Sequence, residues 1–138
     1  MYRILLIDDD QNALNALRRE LRDDYAIEAF SDPHQALQRC RESRFDLAIV
    51  DYKMPEMDGV EFLRQFVKLQ PDAVPVILSG EADFDATIGT INEAHIYRFI
   101  GKPWDKTELA ATLAEGLAHR EQVLENRRLA EACRKEKP

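Results

Sequence analysis

Short, nearly unbroken apolar runs alternate along the chain with longer stretches in which apolar residues recur every three or four positions. The runs are Tyr2–Ile7, Tyr25–Phe30, Phe45–Val50, Val74–Leu78 and Ile96–Ile100. The first, third and fourth are almost continuous, as strands covered on both faces of a parallel sheet should be. Between and after them lie five helical stripes. Leu14, Leu17 and Leu21 mark the first, Ala36, Leu37 and Cys40 the second, and Phe62, Leu63, Phe66 and Val67 the third. Ile88 and Ile91 mark the fourth, and Leu109, Leu113 and Leu117 the fifth. Asp32-Pro33 offers a cap followed by proline in the first turn, and Asp58 with Glu61 resembles a capping box. Five βα units in succession, joined by right-handed crossovers, predict a parallel sheet with helices on both faces.

The fifth stripe does not stop where the others do. Beyond Leu117 the chain continues through Val123, Leu124 and Leu129 with no glycine or proline before Pro138, and Arg120 and Arg127 interrupt any heptad seam. Residues 1–118 therefore read as one domain. Residues 119–138 read as a helical extension, or a linker to an output domain outside this chain.

Composition narrows the function. A length of 138 residues, 45% of them apolar, suffices for one core and leaves little room for a second. A net charge of -7 and a pI near 5.0 argue against a nucleic-acid surface. The stretch from Arg127 to Lys137 is basic only in part, being interrupted by Glu131 and Glu136. Cys40 and Cys133 match no metal-ligand spacing and read as reduced thiols. His34, His95 and His119 are scattered and read as packing or surface residues. No apolar run is long enough to span a bilayer and no secretory signal opens the chain, so a cytoplasmic location is expected.

The chemistry lies in the residues at the end of each run. The first ends in Asp8-Asp9-Asp10, the third in Asp51, the fourth in Ser79-Gly80 and the fifth in Gly101-Lys102-Pro103. Ligands of open parallel sheets bind beyond the carboxyl ends of the strands, where the strand order reverses. With the order 2-1-3-4-5, Asp8, Asp9 and Asp51 converge on one crevice, and Ser79 and Lys102 reach it from the far side. Three neighbouring carboxylates must carry raised pKa values or share a cation. Magnesium suits a site of few carboxylates that also admits water and phosphate oxygens. Lys102 and the Ser79 hydroxyl can meet phosphoryl oxygens, and the backbone N–H of Gly80 can approach closely because no side chain intervenes. A carboxylate nucleophile, a metal and electrophilic donors make a phosphoryl-transfer site. Singly, each residue has a plainer role. Asp10 reads as a helix cap, Asp8 or Asp9 alone could be one, Ser79 could close a strand, and Lys102 could be a surface lysine. Asp51 is different, because an acid closing a buried run needs a partner.

Over about residues 1–118 the sequence resembles the receiver domain of two-component response regulators. The matching stretches are Ile4 to Asp10, Asp46 to Pro55, Met57-Asp58-Gly59, Val76 to Gly80 and Phe99 to Trp104. The resemblance implies a flavodoxin-like, doubly wound α/β fold with a five-stranded parallel sheet, here ending in an extended C-terminal helix. It also implies a signalling domain, not an enzyme acting on a separate substrate. Asp51 would take a phosphoryl group from a phosphohistidine on a sensor histidine kinase or phosphotransfer protein. Asp9, Asp51 and the carbonyl of Lys53 would bind Mg2+, with Asp8 acting mostly through water. Ser79 and Lys102 would bind the attached phosphoryl group, and Phe99 would turn inward as Ser79 moves. The responding face would be the fourth helical stripe, the fifth strand and the fifth helical stripe. That face or the C-terminal helix could support a homodimer.

Three departures stand out: Asn92-Glu93-Ala94-His95 replaces the usual small-residue and glycine step, Phe99 lacks a tyrosine hydroxyl, and Gly80 is smaller than the usual alanine. Lys53 and Glu81, two positions beyond Asp51 and Ser79, could pair across the mouth and lengthen the life of the phosphoryl group. As solvated charges they would do nothing. Trp104 is expected to anchor the start of the fifth helix. The rival reading is a phosphatase of the haloacid dehalogenase type using Asp8 and Asp10, but its pattern wants threonine or valine where Asn12 stands. A flavin site is disfavoured because an acidic cluster after the first strand repels phosphate. The Tyr97 to Trp104 stretch looks like receivers attached to cyclic-dinucleotide phosphodiesterases and transcriptional activators.

Overall fold

The computed structural model describes residues 1–80 and 96–136. The apolar runs form β1 (Arg3–Ile7), β2 (Ala26–Phe30), β3 (Leu47–Asp51), β4 (Val74–Gly80) and β5 (Arg98–Lys102). All pair in parallel in one sheet of order β2-β1-β3-β4-β5, a flavodoxin-like arrangement. The described helices are α1 (Gln11–Leu21), α2 (Pro33–Glu42), α3 (Gly59–Leu69) and α4 (Lys106–Glu136). The stripe of Ile88 and Ile91, the Asn92 to His95 step and Glu81 lie outside the described residues. The expected Lys53–Glu81 pair lies outside them with Glu81.

Strand alternation sorts the core into two layers. Leu5, Ile7, Ala48, Val50 and Ile77 meet Ala36 and Leu37 of α2 and Phe62, Leu63 and Phe66 of α3. Ile4, Leu6, Leu47, Ile49, Val76 and Leu78 meet the leucines of α1 and Leu109, Leu113 and Leu117 of α4. The inner strands β1, β3 and β4 bury both faces, which is why they read as continuous apolar runs. The edge strand β2 has no fully buried residue.

β4 and β5 each run two residues past the end of their apolar runs. The β4–β5 ladder continues through Ser79↔Gly101 and Gly80↔Lys102, so these residues end strands and do not begin loops. Hydrophobicity marks where a strand is buried, whereas pairing carries it further. The caps match the sequence more closely. Asp10 accepts from the Asn12 N–H, Asp32 from that of His34 and Asp58 from that of Glu61, each at the head of its helix. Only half of the expected capping box forms, because the Glu61 carboxylate turns forward to Arg64 at 3.0 Å.

Gln70 is a buried polar residue with a structural duty. Its amide oxygen accepts from the Phe45 N–H at 2.6 Å, and its amide nitrogen donates to the carbonyls of Cys40 (3.0 Å) and Ser43 (2.6 Å). It thereby ties the end of α3 to the α2–β3 loop. Gln70→Leu keeps the volume and strands those backbone groups, so urea denaturation should show a loss of about 2–4 kcal/mol at an unchanged m-value.

The far end of the sheet holds α4 beyond its last core leucine. The Arg120 guanidinium donates to the Asp72 carbonyl at 2.8 Å and pairs with the Asp46 carboxylate at 3.1 Å, and Arg127 pairs with the Asp72 carboxylate at 2.9 Å. Gly116 makes room for the sheet. A Cβ there would lie 3.1 Å from Val74 Cγ1 and 3.2 Å from the Tyr97 ring, which also stacks on His119 at 6.0 Å. Cys40 is buried, Cys133 exposed, and both are free thiols. Burial pushes the Cys40 thiol up to about 11, well away from thiolate chemistry. Among the described residues no helix is long and apolar enough to cross a membrane.

Candidate phosphoryl-acceptor and metal site

Asp51 ends β3 and Lys102 ends β5, while Asp8 comes directly after β1. Each is in phase with the alternate residues of its strand that face α1 and α4: Ile4 and Leu6, Leu47 and Ile49, and Ile100. Strand order and phase together therefore bring three distant residues to one crevice. Asp8 is 0% and Asp51 7% exposed, whereas Asp9 is open to solvent. Oxygens from Asp8, Asp9 and Asp51 all lie within 4.8 Å of one another, a hard-oxygen cluster suited to a divalent cation.

Lys102 closes the crevice from the β5 side. Its Nζ lies 2.7 Å from Asp8 Oδ2 and 2.8 Å from Asp51 Oδ1. The other oxygen of Asp8, Oδ1, accepts the Asp10 N–H at 2.9 Å, so both of its oxygens are engaged. Burial raises the Asp51 pKa, as do the charges of Asp8 and Asp9, against the opposing hydrogen bond from Lys102. Burial pulls the Lys102 ammonium down, but its bonds to Asp51 and Asp8 outweigh this and hold its pKa above the ordinary lysine value. Among the described residues Lys102 thus faces three acids, leaving unbalanced negative charge where a metal would sit.

The remaining expected site residues are distributed around this centre. Ser79 is 2% exposed on the strand beside Asp51, with its hydroxyl donating to the Gly80 carbonyl at 3.2 Å. Phe99 is half-buried against the core layer of Ile77 and Ile96. The Lys53 side chain is exposed on the loop after β3. Asp10 caps α1 and stands outside the carboxylate cluster, so it does not supply the second acid that a phosphatase using Asp8 and Asp10 would require.

Three features are not apparent from the sequence. Gly59 lies directly beneath Asp51: its N–H donates to the Tyr52 carbonyl at 2.8 Å, and a Cβ would sit 2.6 Å from the Asp51 carbonyl oxygen. Gly59→Ala must therefore displace the end of β3 or the head of α3. Thermal unfolding should report a loss of about 1–3 kcal/mol. The Met57-Asp58-Gly59 match carried that signal, though composition did not reveal its cause. The Lys102–Pro103 peptide bond is cis. Trp104 does pack beside α4 as expected, but its indole N–H also donates to Glu20 of α1 at 2.6 Å.

Comparison with known proteins agrees with this geometry. The family model described as response regulator receiver domain matches residues 4–114. The hydrogenase transcriptional regulatory protein HoxA of Bradyrhizobium diazoefficiens is 34% identical over 114 residues, covering 83% of this chain and 24% of that protein. A crystal structure described as an adenylate cyclase from Rhodopirellula baltica superposes with a TM-score of 0.88 at 30% identity, covering 94% of this chain and 97% of that one. The signal receiver domain of an HD domain-containing protein from Pseudomonas fluorescens superposes with a TM-score of 0.82 at 33% identity, covering 88% and 98%. The chain spans only about a quarter of the length of the first curated relative, at 24%.

Proposed function

The chain belongs to the response regulator receiver domain family of two-component signalling, and on that premise we propose that Asp51 accepts a phosphoryl group from a phosphohistidine on a sensor kinase or phosphotransfer protein. The observation that carries this reading is the Lys102 ammonium bridging Asp8 and Asp51 inside a three-carboxylate cluster. An Asp51 carboxylate oxygen attacks phosphorus, the bond to the donor imidazole nitrogen breaks, and the electron pair stays on the imidazole. Burial raises the Asp51 pKa, and the Lys102 ammonium opposes that shift and so favours the carboxylate that attacks.

Asp9 and Asp51, with the Lys53 carbonyl, would hold Mg2+. Asp8 acts through water, because its oxygens are already committed to Lys102 and the Asp10 N–H. When bound, the ion neutralises carboxylate charge and offsets that of the incoming phosphoryl group. Lys102 would then exchange its Asp51 oxygen for a phosphoryl oxygen. The Ser79 hydroxyl and the Gly80 N–H complete the donor set. Movement of Ser79 leaves room for the Phe99 ring to pack further inward. β5 and α4 would contribute to the responding face, together with the Ile88 and Ile91 stripe expected from the sequence. Residues 1–118 would act as the receiver and 119–138 as a helical extension or linker that carries the response to an output domain or partner. HoxA is named a transcriptional regulator and the Pseudomonas relative an HD domain-containing protein, so several outputs suit such a helix.

Incubation with acetyl phosphate and Mg2+ should add one phosphoryl group by intact mass. Borohydride reduction and peptide mapping should place it at Asp51. A group mapped to Asp8 or Asp9, or uptake that persists without divalent cation, would overturn the reading.

A further inference from the structure

We propose that Glu20 is a positioning residue for the phosphoryl-binding lysine, acting through Trp104. Among the described residues β5 is an edge strand that pairs with β4 alone, so pairing on one side fixes its end. Lys102 is its last residue and must hold an ammonium within hydrogen-bond reach of two carboxylates. The anchoring of the chain just past Lys102 therefore matters. Two residues on, the Trp104 indole rests against the core layer of the α1 and α4 leucines, and its N–H donates to Glu20 Oε2 at 2.6 Å.

Glu20 lies in the last turn of α1, the helix that opens at Asp10. The Asp10 N–H in turn holds Asp8. One rigid helix thus fastens the acidic side of the crevice at its first residue and the cationic side near its last. The Glu20–Trp104 bond closes that frame across 84 residues of sequence. Both side chains are only partly buried. Losing the bond should therefore loosen the Lys102 end of β5 while leaving the core packed.

This inference rests on the reading of Lys102 as the group that binds the phosphoryl oxygens. It separates two affinities that a general loss of stability would lower together. On that reading Asp9, Asp51 and a backbone carbonyl would hold the metal, and Lys102 would bind the phosphoryl group. In Glu20→Ala, Mg2+ affinity should stay within about twofold of wild type while the affinity for beryllium fluoride, titrated at saturating Mg2+, falls about tenfold, as misplacement by a fraction of an ångström would produce. Glu20→Gln keeps an amide oxygen for the indole and should restore beryllium fluoride affinity to within about twofold. Trp104 is the single tryptophan of the chain, so its emission reports whether the bond is lost.

Unchanged beryllium fluoride affinity in Glu20→Ala, with emission showing the indole released, would overturn the proposal. A parallel fall in Mg2+ affinity, beryllium fluoride affinity and melting temperature would overturn it equally, as the mark of a purely structural bond. Lys102→Ala tests the premise separately. If it leaves wild-type beryllium fluoride affinity intact, the lysine reading fails whatever Glu20 does.

Discussion

Asp51→Asn should take up no phosphoryl group from acetyl phosphate or from a phosphorylated kinase, and should fold more stably than the wild type at neutral pH. The first outcome comes from chemistry, since an amide oxygen is a poor nucleophile and carries no charge to share with a metal. The second comes from electrostatics. Burial raises the Asp51 pKa, with Asp8 and Asp9 adding to the effect. A raised carboxyl pKa means that the folded protein binds this proton more tightly than the unfolded chain does. The group therefore favours folding fully only below its ordinary carboxyl pKa, and that contribution is lost as pH rises from there through the folded pKa. A neutral residue escapes the penalty and flattens this part of the stability–pH curve. Thermal melts between pH 4 and 8 check the sign, and a variant whose stability falls more steeply with rising pH than the wild type would contradict it. Uptake measured by intact mass should drop to background.

Removing the cation should have the opposite effect. Lys102→Ala leaves the fully buried Asp8 and the nearly buried Asp51 facing each other without their shared partner. Losing one member of a buried ion pair costs about 3–5 kcal/mol, and partial exposure of the lysine places this case near the lower figure. The loss should be recoverable in a specific way. Mg2+ that binds only the folded variant, at a hundredfold excess over its dissociation constant, returns about 2.7 kcal/mol. The variant should thus melt well below wild type in chelator and, in excess Mg2+, approach the melting temperature that wild type shows in chelator. Ca2+, which fills the same oxygens with a larger coordination sphere, should rescue it less faithfully. Phosphoryl uptake should remain impaired even with Mg2+, by about two orders of magnitude, because a preorganised donor at the developing charge is missing. Equal melting of variant and wild type in chelator would show that the pair carries no such weight.

The architecture was legible because its two signals are local and repeated. β1, β3 and β4 are buried on both faces and their sequences are correspondingly unbroken, while Leu14, Leu17 and Leu21 show where α1 meets the sheet. The site was legible for a different reason. Asp8, Asp51 and Lys102 each close or succeed an apolar run, and parallel topology sends all such ends to one side. The features that escaped detection depend on atoms meeting across the fold. Nothing near Glu20 announces Trp104, and no periodicity marks Asp46 and Asp72 as partners for Arg120 and Arg127. In the sequence those arginines are only interruptions of a heptad seam. In the fold they are fasteners, because they reach Asp46 and Asp72 at the edge of the domain.

That attachment has a mechanical consequence. Along α4, the close approach of Gly116 to Tyr97 would serve as a fulcrum, and the helix continues for some 30 Å beyond it at the ordinary rise per residue. A rotation of about 10° there would sweep the distal end through about 5 Å, enough to turn a sub-ångström adjustment of β5 into a displacement comparable to a whole helical turn. Arg120 and Arg127 resist such a swing, and the more exposed Arg127–Asp72 pair weakens as salt rises. Ionic strength would thus set the stiffness of the lever.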